Sequence, residues 1–73
     1  MPSLPVISGR EARRRFELLG WQFTRQRGSH MILTKPKSIV TLSIPDHREV
    51  AKGTLRSLIR LAVLTTEDFL ETE

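Results

Sequence analysis

At Gly20-Trp21 the spacing of apolar residues changes from helical to alternating, and after Pro45 it changes back. Before that junction Ala12, Phe16 and Leu19 form the inward stripe of an amphipathic helix. After it, Trp21 and Phe23 alternate with Gln22, Thr24 and Gln26, the period of a half-buried strand. Gly28 ends this strand, and a second runs from His30 to Thr34. Lys35-Pro36-Lys37-Ser38 makes the next turn, and a third strand runs from Ile39 to Ile44 before Pro45 closes it. A second helix begins near Gly53 or Thr54, with Leu55, Leu58, Ile59 and Ala62 facing inward. The order α-β-β-β-α predicts an α+β two-layer sandwich, a three-stranded antiparallel sheet with helices on one face.

Local signals set the ends of these elements. The two prolines of Met1-Pro2-Ser3-Leu4-Pro5 predict an extended arm into the first helix. Ser8-Gly9-Arg10-Glu11 reads as a capping box, and Gly20 as the stop of that helix. Arg10, Arg13 and Arg14 form its outer ridge, with Glu17 spaced to pair with either of the last two. Thr65-Thr66-Glu67-Asp68 predicts another N-cap and a short acidic final turn through Phe69 and Leu70. Aligning the strands through their turns sets Trp21, Phe23, Met31, Leu33, Val40, Leu42 and Ile44 against the helices. Gln22, Thr24, His30, Ile32, Ile39, Thr41 and Ser43 fall on the open face.

Seventy-three residues hold one small core, so the reading is a single domain over 1–73. With no cysteine there are no disulfides, thiol nucleophiles or zinc fingers, and the expectation is a cytoplasmic protein. The longest apolar run, Leu61-Ala62-Val63-Leu64, is far short of the roughly 20 residues that span a bilayer, so no membrane partner is expected. Met1 to Ser8 lack a basic n-region, and no targeting segment is read there. Residues 1–60 hold all 12 basic side chains and 4 acids, while 61–73 hold 4 acids and no Lys or Arg. Such a body, with a tail of opposite sign, points to a polyanionic partner, RNA or DNA ahead of a membrane.

The chemistry available is narrow. There is no metal-ligand spacing among His, Asp and Glu, no nucleotide-binding glycine loop and no cofactor motif. Gly28-Ser29-His30 places an imidazole just after a turn, at the mouth of the second strand, among Arg25, Arg27, Lys35 and Lys37. In RNA the ribose 2′-OH can attack its own phosphate, so a protein need only move protons and stabilise developing negative charge. Histidine is the side chain suited to the first task and arginine to the second. His47, in Pro45-Asp46-His47, falls near the same end of the sheet and is a possible second imidazole or a loop-shaping residue. Arg27, Lys35, Lys52, Arg56 and Arg60 are the candidate RNA contacts, the last three forming a ridge along the second helix. A non-catalytic RNA-binding module would use the same residues. An interaction protein would instead use the open face through Ile32 and Ile39.

The combination of Leu4-Pro5, Ser8-Gly9, Gly20-Trp21, Gln26-Arg27-Gly28-Ser29-His30, Ile44-Pro45 with His47, and Lys52-Gly53-Thr54-Leu55-Arg56 resembles the HicA (YcfA-like) toxins over nearly the whole chain. That resemblance implies a double-stranded-RNA-binding-domain-like fold and an mRNA interferase of a type II toxin–antitoxin pair. It also implies an mRNA substrate, a HicB-like antitoxin that holds the enzyme inactive, and no cofactor. The family's catalytic histidine falls on His30, with Ser29 and His47 as auxiliary candidates and Gly28 and Gly53 as motif glycines. Asp46 departs from the family's usual basic or neutral residue, and it sets negative charge beside the phosphate site.

Overall fold

The computed structural model describes residues 3–73; Met1 and Pro2, the first residues of the expected arm, lie outside the described residues. The elements are α1 (Gly9–Leu18), β1 (Gln22–Arg27), β2 (His30–Thr34), β3 (Leu42–Pro45), α2 (Lys52–Leu61) and α3 (Thr66–Leu70). The strands form one antiparallel sheet in the order β1-β2-β3, giving the expected α+β arrangement. Ala12 and Phe16 of α1, Leu55, Leu58 and Ile59 of α2, and Phe69 of α3 meet Trp21, Met31, Leu33, Leu42 and Ile44 in the core. Helices therefore cover one face of the sheet and leave the other open, as the alternation of the strands requires.

One end of the molecule is tied together by backbone bonds. The Gly9 N–H donates to the His47 carbonyl at 2.9 Å, and the Val50 N–H donates to Ile7 at 2.8 Å. The Asp46 N–H donates to the Ser29 carbonyl at 2.7 Å, which links the end of β3 to the start of β2. The starts of α1 and α2 thus gather at the end of the sheet where His30 pairs with Pro45. Gly9 is buried where α1 crosses this end, and its backbone packs directly on that of Pro45.

The structure corrects three expectations. Ser8 caps α1, its Oγ accepting from the Glu11 N–H at 3.0 Å, but the Glu11 carboxylate does not reach back. It accepts from Arg14 at 2.6 Å and from Arg15 at 2.9 Å, because two guanidinium groups outcompete one amide for an anion. The complete capping box is at Thr65 and Asp68. Arg15 is only 7% exposed, and its guanidinium lies 5.5 Å from the Phe69 ring centroid. Phe69 in turn packs on Phe16 with centroids 5.1 Å apart, so Arg15 helps hold α3 against α1.

Second, β3 begins at Leu42 and not at Ile39. Lys37 takes a positive φ of 69°, and Ser38 Oγ accepts the Val40 N–H at 3.1 Å, so a local turn captures a donor that pairing would have used. Ile39 consequently points fully into solvent. Third, Ile32 is on the open face but only 7% exposed, since it sits on the central strand between Arg25 and Ser43. The exposed Ile32 and Ile39 patch read from the sequence therefore does not form on the sheet.

The Glu11 cluster makes a testable contribution to stability. Hydrogen bonds from Arg14 and then Arg15 lower the Glu11 pKa from 4.5 to about 2, against a smaller opposing effect of burial. A folded-state pKa below the unfolded value stabilises the protein fully above the unfolded pKa, and that contribution is lost as pH falls through the folded pKa. The thermal midpoint of the native chain should exceed that of Glu11→Gln by a constant margin above about pH 5.5. The margin should close between pH 4.5 and about 2. A margin independent of pH would remove Glu11 from the acid response.

Candidate functional site

The open face is shaped by a β-bulge. Phe23 pairs with Leu33 but Arg25 pairs with Ile32, so Thr24 is an extra residue in β1. Strict alternation would send Arg25 and Arg27 to the same side as Trp21 and Phe23. The bulge shifts the phase by one, so that Gln26 pairs with Met31 and Arg27 pairs with His30. Directly opposed residues of antiparallel strands project to the same face, so Arg25 and Arg27 join His30 on the open side and Gln26 leaves it. Thr24 stays on the open side, where its hydroxyl lies 2.8 Å from that of Thr34.

The turn that presents His30 is a two-residue hairpin, Gly28-Ser29, with φ of +60° at Gly28 and no positive φ at Ser29. Glycine at the first turn position matches the twist of the flanking strands without Cβ crowding. His30 is exposed, and its Nδ1 shares a hydrogen bond of 3.2 Å with Ser43 Oγ across from β3. That bond fixes the ring and leaves Nε2 for a substrate. Ser43 was read from the sequence only as an open-face residue; its role depends on the β2–β3 register, which brings it beside the ring.

Ion pairing divides the basic residues into two groups. Arg10 pairs with Asp46 at 3.3 Å and Arg13 with Glu17 at 3.4 Å, while Arg14 and Arg15 share Glu11. Arg13 also lies over the Phe23 ring, 3.9 Å from its centroid. The arginines of α1 are thus all engaged by nearby carboxylates. The carboxylate of Asp46 is likewise held by Arg10. Of the 12 Lys and Arg side chains, the 8 outside α1 make no ion pair among the described residues.

The remaining candidates separate by position. Arg27, Gly28, Ser29 and His30 are brought together by the hairpin. His47 lies at the same end, exposed, with its carbonyl bound to Gly9; its ring makes no hydrogen bond to His30. Lys52 and Gly53 open α2 near that end, and nothing lies within 4 Å of a side chain built at Gly53, so packing does not demand glycine there. Arg56 and Arg60 continue along the exposed side of α2. Lys35 is not part of this grouping. It follows the far end of β2, roughly 17 Å along the strand from His30 at about 3.3 Å per residue. Its ammonium lies 6.0 Å from the Trp21 ring centroid.

Among the described residues no three His, Asp or Glu side chains come together as metal ligands would, and no helix is long and apolar enough to cross a membrane. No curated protein is significantly similar to the chain. The family model described as the HicA toxin of bacterial toxin–antitoxin systems matches residues 9–64. That span runs from the glycine packed on Pro45, through the bulged hairpin and His30, to the residues after α2, and the element order agrees with the fold expected for the family. The chain belongs to the HicA toxin family, and is thus a toxin of a toxin–antitoxin system with an antitoxin partner.

Proposed function

We propose that this toxin is a metal-independent endoribonuclease that cleaves mRNA in the cytoplasm and is held inactive by a HicB-like antitoxin. The observation that carries the reading is the placement of His30, exposed on the open sheet face with Arg27 directly opposite and Ser43 on its Nδ1. In this reaction the ribose 2′-OH gives its proton to a general base and its oxygen bonds to the adjacent phosphorus. The bond from phosphorus to the 5′ oxygen breaks, and that oxygen takes a proton from an acid. The products are a 2′,3′-cyclic phosphate and a 5′-OH end.

His30 acts as the general base or acid, and His47 or water supplies the complementary step. Arg27 stabilises the charge that develops on the phosphoryl oxygens. Arg25, turned to the same face by the bulge, and Lys52 and Arg56 at the start of α2 hold flanking phosphates. Arg60 continues that ridge, and Lys35 could touch RNA only well away from the cleavage point. Ser29 and Gly28 keep the hairpin short enough to place the ring at the edge of the sheet.

The test is incubation of a labelled mRNA with the purified chain in excess EDTA. Cleavage supports the reading, whereas salt-sensitive binding without turnover identifies a non-catalytic RNA-binding module. Ser43→Ala supplies a finer check, since Ser43 is a positioning residue and not a catalytic one. It should lower kcat about 3- to 30-fold and move the pH–rate profile while leaving RNA affinity unchanged. Ser43→Thr should restore most of the rate. An unmoved pH profile would show that the Ser43 contact has no part in orienting the imidazole.

A further inference from the structure

Where α2 gives way to α3, the helix layer carries an open groove of about 520 Å³, lined in part by Arg56, Arg60, Val63 and Leu64, of which the nuclease reading uses the two arginines alone. Val63 stands just past the C-cap Ala62 with a φ of 57°. This left-handed position usually falls to glycine or asparagine, because any other side chain crowds the following carbonyl, and a β-branched residue suffers most. Yet Val63 is 88% exposed, so its side chain gains almost no packing in the free chain in return for the strain. Arg56 and Arg60, one helical turn apart, have no carboxylate partner among the described residues.

The backbone is held there by two bonds, from the Leu64 N–H to the Ile59 carbonyl at 3.1 Å and from the Val63 N–H to the Arg60 carbonyl at 3.0 Å, so what the free molecule leaves unmet is an apolar side chain in water beside two unpaired arginines. The phosphates of RNA would satisfy the arginines but would leave Val63 in water. An acidic protein segment that also presents an apolar side chain satisfies both. We infer that this groove docks such a segment, and that in a toxin–antitoxin pair it belongs to the antitoxin. The contact lies on the helix layer, separate from the open sheet face that carries His30, and it does not depend on the nuclease reading. Arg56 and Arg60 border both the phosphate ridge and the groove, so Val63 is the residue that tests the groove alone, and Arg60 is read by antitoxin affinity beside RNA binding.

The experiment measures affinity of the antitoxin encoded with this chain for the native toxin, Val63→Gly and Arg60→Glu, beside thermal midpoints, RNA binding and sedimentation of each toxin alone. Val63→Gly relieves the backbone and should raise the midpoint of the free toxin by about 2–6 °C. The same change should weaken antitoxin binding by about 10-fold or more, and Arg60→Glu by at least as much. Cleavage by Val63→Gly should equal that of the native chain. Antitoxin affinity unchanged in both variants would overturn the inference. If Arg60→Glu then lost RNA binding alone, the groove would be a nucleic-acid path. If Val63→Gly instead abolished self-association of the free toxin with antitoxin affinity unchanged, the occupant would be a second copy. Because antitoxin affinity is read without RNA, failure of the nuclease reading would leave this result standing.

Discussion

His30→Ala is expected to abolish RNA cleavage, by about 100-fold or more, and to relieve growth arrest while leaving the fold intact. The size follows from what one well-placed proton-transfer group contributes when nothing else at the site replaces it. The structural tolerance follows from exposure: the ring projects from the open face, and its one side-chain hydrogen bond is to Ser43. Removing it should change stability by no more than about 0.5 kcal/mol, the usual effect of a surface substitution. Circular dichroism and a thermal scan check the fold, and a labelled transcript checks the activity. Retained cleavage in a folded His30→Ala protein would move the chemistry away from the hairpin.

Gly9→Ala should have the largest effect on stability. A Cβ at Gly9 would sit 1.9 Å from the Pro45 carbonyl oxygen, 3.0 Å from its carbonyl carbon and 3.2 Å from the Asp46 Cα. All three are backbone atoms, so no side chain can swing aside. The start of α1 must lift from the end of β3, and the bond from Gly9 to the His47 carbonyl must break with it. Overpacking of this kind costs about 3 kcal/mol or more. A chain of this size has only about 4–11 kcal/mol in total, so at about 4–8 °C per kcal/mol the thermal midpoint should fall by about 12 °C or more. Gly53→Ala is the matched control. With open space around it, alanine there should stabilise α2 by about 0.5–1 kcal/mol. Equal midpoints for Gly9→Ala and the native chain would show that the α1–β3 junction yields easily.

Much of the architecture was legible because the relevant signals are local. The period change at Gly20-Trp21, the hairpin glycine and the capping residues Ser8 and Thr65 each act within a few residues of themselves, and they place the elements to within a few positions. Long-range competition was not legible. Nothing local shows that Glu11 will be taken by Arg14 and Arg15, or that Arg15 will be buried against Phe69, some fifty positions later in the chain by the numbering.

The candidate site shows the same division. His30 is found by its motif and by its place after the turn, and the register confirms its face. The environment around it depends on the bulge at Thr24, which period counting cannot detect and which turns Arg25 and Arg27 toward the imidazole. The Lys35 assignment illustrates the converse. Five positions of extended strand look like proximity in sequence but carry Lys35 to the other end of the sheet. Val63 was read only as part of an apolar run, and its strain emerges from the geometry of the α2 C-terminus.

The most direct measurement is end-group analysis of RNA cleaved by the native chain in excess EDTA, run beside His30→Ala. Internal attack by the 2′-OH, with His30 moving the proton, requires 2′,3′-cyclic phosphate and 5′-OH ends from the native chain and no such ends from the variant. A 5′-phosphate with a 3′-OH, activity that appears only when a divalent cation is restored, or the same ends from His30→Ala would contradict the mechanism proposed for this site.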